Sequence, residues 1–133
     1  MMAVCILVLV MSSIILCYMQ TCQCAQWTGY ALAAQGLTIQ QLEQARAAAL
    51  DPQGSVNELT NIATTSAATL DLPTPGTNYV WATNYVGITL VTNSTSPLVT
   101  VYLVRVDTVW PLTQNGQLQY FSNTAACYYS QDY

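Results

Sequence analysis

The chain has 133 residues and a formal net charge of −4, and only 6% of its residues are charged, against about 25% in an ordinary soluble domain. It contains no His and no Lys, and Arg46 and Arg105 are its only bases. That argues against nucleic-acid binding, which needs clustered Lys and Arg, and it removes the commonest general base and the Schiff-base amine from any catalytic scheme.

Thr, Asn, Gln, Ser and Tyr supply most of the polarity. They can cover a surface without charge, but a free monomer of this kind would be poorly soluble, so an assembled or membrane-bound state is expected. Charge position is as informative as charge count. Met1–Leu42 holds no ionisable Lys, Arg, Asp, Glu or His; Glu43 is the first.

Ala3–Met19 is an apolar run broken only by Ser12 and Ser13, at the lower limit of about 17 residues for crossing a bilayer. Three origins are compatible with such a segment. A cleaved secretory signal wants a basic stretch ahead of its apolar core, and a permanent anchor wants Lys or Arg on its cytoplasmic flank. Neither is present here, although Cys22-Gln23-Cys24-Ala25 is loosely like a cleavage site. The third origin, a rod whose basic leader has already been removed, accounts for the missing charge and is the reading favoured here.

The helix is expected to run on to about residue 50. No Pro occurs before Pro52, and Tyr30–Leu50 is dominated by Ala, Leu and Gln, all good helix formers. Gly29 and Gly36 are soft points, each costing about 1 kcal/mol relative to Ala. Leu32, Gly36, Ile39 and Glu43 fall on one stripe; Leu42, Ala45 and Ala49 fall on another. Asp51-Pro52-Gln53-Gly54 should end the rod. Such a rod is far longer than a head of about 80 residues covers, so its surface must be buried by other copies.

Residues 51–76 read as a linker containing a short helix over about 56–69, opened by a Ser55–Glu58 capping box and closed by Leu72-Pro73-Thr74-Pro75-Gly76. Residues 77–133 read as a β-rich head. Asn78–Thr92 and Leu98–Trp110 are rich in Val, Thr, Tyr, Ile and Trp, which suit pleated surfaces. The second run is apolar on both faces and is expected as a central strand against the rod, with Trp81 and Trp110 in the core. Asn93–Pro97 is the expected connecting turn. Asn115-Gly116 is a tight-turn signal, joining a strand that ends near Thr113 to one over Gln117–Ser122. The fold class is therefore α+β: a helix over about 2–50, then three to five antiparallel strands.

No catalytic constellation, cofactor loop or metal set is visible in the sequence. The carboxylates are scattered, the glycines isolated, and Cys22-Gln23-Cys24 lacks metal-type spacing. The rod cysteines (Cys5, Cys17, Cys22 and Cys24) read as small buried hydrophobes. A sharper alternative bridges Cys127 to Cys22 or Cys24, tying the head to its own rod or to a neighbour. Asn93-Ser94-Thr95 is an N-glycosylation sequon in an expected turn, although a chain this rich in Thr and Asn also produces such triplets by chance.

This organisation, an apolar half-helix continuing into a rod of about fifty residues with a Thr- and Asn-rich β head, resembles a mature type IV pilin. Bacterial major pilins usually carry Glu at the fifth mature position, where this chain has Cys5. Archaeal-type pilins generally lack that glutamate, and their uncharged heads are similar to this one. TadE-like pilins are a second resemblance, through the aromatic–Pro–Leu ending of Val106–Leu112. The resemblance implies a structural subunit with no cofactor. Its precursor would wait in the membrane until assembly machinery extracts it into an extracellular helical homopolymer, with adhesion as the expected role. Val4, Ile6, Leu7, Val8, Leu9, Val10, Ile14, Ile15 and Leu16 would then form the polymerisation core. Two other classes stay open: a membrane-anchored virion or envelope structural protein, and a secreted β-domain binding module that has lost its first 25 or so residues.

Overall fold

A computed structural model describes residues 2–49, 58–70, 79–95, 98–114 and 116–131. One α-helix, α1, spans Met2–Ala49 and is 48 residues long, or about 72 Å at 1.5 Å per residue. It runs unbroken through Gly29 and Gly36. A 3₁₀ turn at Glu58–Asn61 follows, and then four strands: β1 (Thr65–Leu70), β2 (Val80–Thr95), β3 (Leu98–Gln114) and β4 (Gln117–Gln131). They form one antiparallel sheet in the order β1-β2-β3-β4, giving the expected α+β architecture.

The sheet packs one face on the second half of α1, and strand alternation decides which side chains lie there. From β2 these include Ala82, Asn84 and Val86; from β3 they are Val104, Val106, Thr108 and Trp110. The helix answers with Tyr30, Ala34, Thr38 and Ala45, spaced one, one and two turns apart so that they fall on one stripe. Two apolar clusters result. Tyr30, Ala34, Leu70, Ala82 and Trp110 pack near the middle of the helix, and Ala45, Leu59, Val86, Val104 and Val106 near its C-terminal end. The expected stripe of Leu42, Ala45 and Ala49 faces the sheet, whereas Leu32 and Ile39 on the other stripe are exposed.

Between the clusters runs a buried polar ladder. The Thr38 hydroxyl lies 2.8 Å from the Ala34 carbonyl oxygen and 2.8 Å from Thr108 Oγ1. Thr108 Oγ1 donates to Asn84 Oδ1 at 2.8 Å, and Asn84 Nδ2 donates to Ser66 Oγ at 3.4 Å. The ladder therefore joins α1 to β3, β2 and β1. The two threonines bring two hydrogens to three close contacts, so one contact is shared.

Several expectations are corrected. The segment expected as a helix over 56–69 supplies a 3₁₀ turn and then β1; its Thr- and Ser-rich end pairs with β2 from Thr65↔Tyr85 to Leu70↔Val80, and tertiary pairing overrides the local helix signal. Trp81 is 59% exposed while Trp110 is 2% exposed, because residue 81 lies on the opposite face of β2 from Ala82. β3 is central but one-sided: Arg105 on its outer face is exposed. β2 continues through Asn93 to Thr95, with Asn93 paired to Thr100, so the expected turn begins later than Asn93. The expected tight turn is seen at Gly116, Asn115 lying outside the described residues: β3 ends at Gln114, β4 starts at Gln117, and Gly116 has φ 75°, a left-handed conformation that glycine adopts at little cost. Strand β4 runs beyond the expected Ser122 to Gln131. The Asp51–Gly54 stop, Ser55 and the Leu72–Gly76 linker lie outside the described residues.

The hydrogen count on the ladder yields an ordered prediction. Thr108→Val leaves the buried Asn84 oxygen without a donor and should destabilise the head by about 1–3 kcal/mol. Thr38→Val leaves the Thr108–Asn84 bond intact and should cost less than about 1 kcal/mol. Denaturant unfolding of the detergent-solubilised chain checks the order; equal losses would contradict the ladder as drawn.

Candidate interaction surface

Every residue of α1 from 3 to 22 is exposed. Its most apolar 18-residue window has a mean hydropathy of 2.3 and is 0% buried, which makes α1 long and apolar enough to cross a membrane. The nine residues Val4, Ile6, Leu7, Val8, Leu9, Val10, Ile14, Ile15 and Leu16 are 50–69% exposed. Consecutive residues turn by about 100° around a helix, so Leu7, Val8, Leu9 and Val10 point in four directions. The apolar surface therefore runs all round, unlike the one-sided stripe of a helix on a soluble core.

Hydroxyls on this segment do not interrupt it. Ser12 donates to the Leu9 carbonyl at 2.9 Å and Ser13 to the Val10 carbonyl at 2.8 Å. Thr21 and Thr28 donate one turn back, to the carbonyls of Cys17 and Cys24, at 2.8 Å each. Each hydroxyl is thus satisfied within the helix, as an environment without water requires. The only helical charges, Glu43 and Arg46, lie 3.7 Å apart near the other end.

The rod leaves the head through an aromatic clasp that the sequence did not single out. Phe121 of β4 stacks on Trp110 at 6.2 Å between ring centroids and meets Trp27 edge-on at 6.4 Å. Below it opens a cleft of about 580 Å³ lined by Gln20, Gln23, Cys24, Trp27, Gln114 and Phe121. At the far end Tyr129 donates its hydroxyl to the Leu42 carbonyl at 3.1 Å, and between them Asn123 donates to the Ala31 carbonyl at 3.5 Å. The signal for this face was the alternation in β4, where Phe121, Asn123, Ala125, Cys127 and Tyr129 are half-buried and their neighbours exposed.

All five cysteines are free, and the four on α1 are exposed. Within the subunit the sheet does not bury them, and their reading as buried hydrophobes rests on contacts with other copies. Cys127 lies between Asn123 and Tyr129, and thus level with the helix between Ala31 and Leu42. Ala31 is about 10 Å of helical rise beyond Cys24, whereas a disulfide needs Cα atoms within about 7 Å. The expected bridge from Cys127 to Cys22 or Cys24 within one subunit therefore does not fit. Asn93 stands near the end of β2, outside any described loop. Among the described residues no group of three His, Cys, Asp or Glu is placed to hold a metal.

The outer face of the sheet is uncharged apart from one pair. Arg105 Nε lies 2.9 Å from Asp107 Oδ2. The hydroxyl of Thr124, across the β3–β4 ladder, donates to the same carboxylate, and with Arg105 it holds the Asp107 pKa below its ordinary value despite some burial.

Burial of Tyr129, with Cys127 beside it, pushes its phenol up from 10.0 to about 12. The unfolded chain releases this proton near pH 10 while the folded head keeps it to about 12. Its contribution to stability is thus complete below pH 10 and is lost as pH rises to about 12. Tyr129→Phe should remove that part of the alkaline loss, and at neutral pH it should cost about 1 kcal/mol for the bond to Leu42. Unfolding curves of both forms from neutral to alkaline pH check this; identical alkaline slopes would refute it. Comparison with protein-family models, with curated proteins and with solved structures gives no match for this chain.

Proposed function

We propose that this chain is the structural subunit of an extracellular type IV pilus-like filament, in which rods pack together in the core and heads face outward. The observation that carries the reading is the first half of α1: apolar on every side, free of ionisable Asp, Glu, Lys, Arg and His, and uncovered by its own head. A helix apolar all round is stable only when surrounded by lipid or by other apolar helices. Both environments belong to this function. The precursor holds the segment in the membrane, assembly machinery extracts it, and neighbouring rods replace the lipid. Each Val, Leu or Ile fully buried away from water contributes about 1.5–3 kcal/mol, so nine such residues per copy give a filament that resists denaturants. The outer face of the head, whose one charged pair is Arg105–Asp107 and where Trp81, Tyr85, Tyr120 and Tyr128 are exposed, supports an adhesive role.

A membrane-anchored structural protein of a virion or envelope is the second reading, favoured by the same segment being long enough to cross a bilayer. The two differ in what happens when lipid is removed.

Val8→Glu places an unpaired carboxylate among the packed rods, where desolvation costs several kcal/mol. The variant should form no filaments while its head unfolds at the same denaturant concentration as wild type, because residue 8 touches no part of the sheet. Negative-stain microscopy and denaturant titration read the two outcomes. Normal filaments from the variant, or a wild type that stays dispersed after detergent removal, would overturn the filament reading.

A further inference from the structure

Strand β4 is an edge of the sheet. It pairs with β3 without a register shift from Gln114↔Gln117 to Thr100↔Gln131, and among the described residues, Ser130 left aside, no other backbone bond reaches it. In an antiparallel sheet alternate residues turn both amide and carbonyl to the same side, so β4 presents a row of these groups away from β3. Soluble proteins blunt such an edge with charge, Pro, a bulge or short length. Gln117–Gln131 has no charged residue, no Pro and no Gly, and is 15 residues long. An edge left this open is a template for another extended backbone.

We infer that the outer edge of β4 pairs with the β1 edge of a second copy, so that neighbouring heads share one continuous sheet. This rests on the filament reading and adds the contact between heads. The chain itself carries the matching edge: β1, Thr65–Leu70, is the opposite border of the sheet and is also uncharged. Directions agree as well. Phe121 contacts Trp27 and Tyr129 contacts Leu42, so β4 runs parallel to the rod. Three antiparallel steps across the sheet make β1 run against it. With all rods pointing one way, β4 of one copy and β1 of the next meet antiparallel.

Face and spacing fit too. To keep the helix-facing side continuous, half-buried β4 residues such as Ala125 must share a face with Ser66, Ala68 and Leu70, and the exposed Ala126 with the exposed Ala67. Four strands at about 4.8 Å repeat every 19 Å or so, about twice the 8–10 Å between packed helices. Heads at that spacing therefore stand farther from the axis than their rods, as a radial array requires.

The test uses the full chain with its native cysteines replaced by Ala. Ala67→Cys is combined in turn with Ser122→Cys, Thr124→Cys, Ala126→Cys and Tyr128→Cys on the outer face, and with Ala125→Cys on the inner face as control. Oxidation after detergent removal should give intersubunit ladders on non-reducing gels for one or two outer-face pairs, with about tenfold less from the control because its Cβ vectors diverge. Hydrogen exchange on the cysteine-free parent gives an independent readout: alternate β4 amides should slow about 100-fold or more on assembly. Filaments that form without β4 protection, or with equal crosslinking on both faces, would overturn the shared sheet and leave the filament reading standing. A parent that never assembles would sink both.

Discussion

A helix of about 72 Å packed against a sheet that reaches only from Trp27 to Ala49 leaves just over half its length with nothing to lie on. Among the described residues, those beyond α1 belong mainly to the 3₁₀ turn and the sheet. Everything else in the molecule is consistent with that mismatch being permanent. The uncovered half is apolar on all sides, and its hydroxyls are turned back onto its own carbonyls. The few charges lie from Glu43 onward.

The two halves of α1 are built from different side chains for this reason. Toward the head the contact residues include Ala34, Thr38 and Ala45, short enough for a sheet bearing Val104, Val106 and Trp110 to close on them. The Thr38–Thr108–Asn84 ladder then fixes where the helix lies along the sheet, because a shift by one residue would strand buried oxygens. Toward the N-terminus the residues are Val, Ile and Leu, which present large surfaces in every direction. The clasp of Trp27, Phe121 and Trp110 marks the boundary. A head held at both ends, by the clasp and by Tyr129 on Leu42, keeps a fixed direction relative to the rod, which a regular polymer needs.

Much of this was legible in the sequence. The rod could be read because absent charge and absent Pro are properties of composition, and the Asn115-Gly116 turn because its dipeptide encodes a backbone conformation. Which helix stripe meets the head was half visible: Leu42, Ala45 and Ala49 were grouped, but Tyr30, Ala34 and Thr38 were not, since Thr38 reads as polar until its partner Thr108 is known. β1 was missed because Thr65–Leu70 has no strand signal of its own; it exists by pairing with β2. Trp81 was misplaced because a run apolar on both faces hides which parity points inward.

The strands raise the same question as the rod, in a different chemistry. An uncovered apolar helix lacks partners for its side chains, and an uncovered uncharged edge lacks partners for its backbone. A protein selected to remain a monomer answers the first with polar residues on its free helix faces and the second with lysines or prolines on its edge strands. This chain does neither, in two regions that share no residues and fold by different rules. Poor solubility alone would account for one such lapse. Two lapses, together with edges that would meet antiparallel in the proposed array of parallel rods, are what a surface shaped for copies of itself would look like. The scarcity of charge then acts as a permissive condition: subunits with almost no like charges to repel one another can approach at every point along their length.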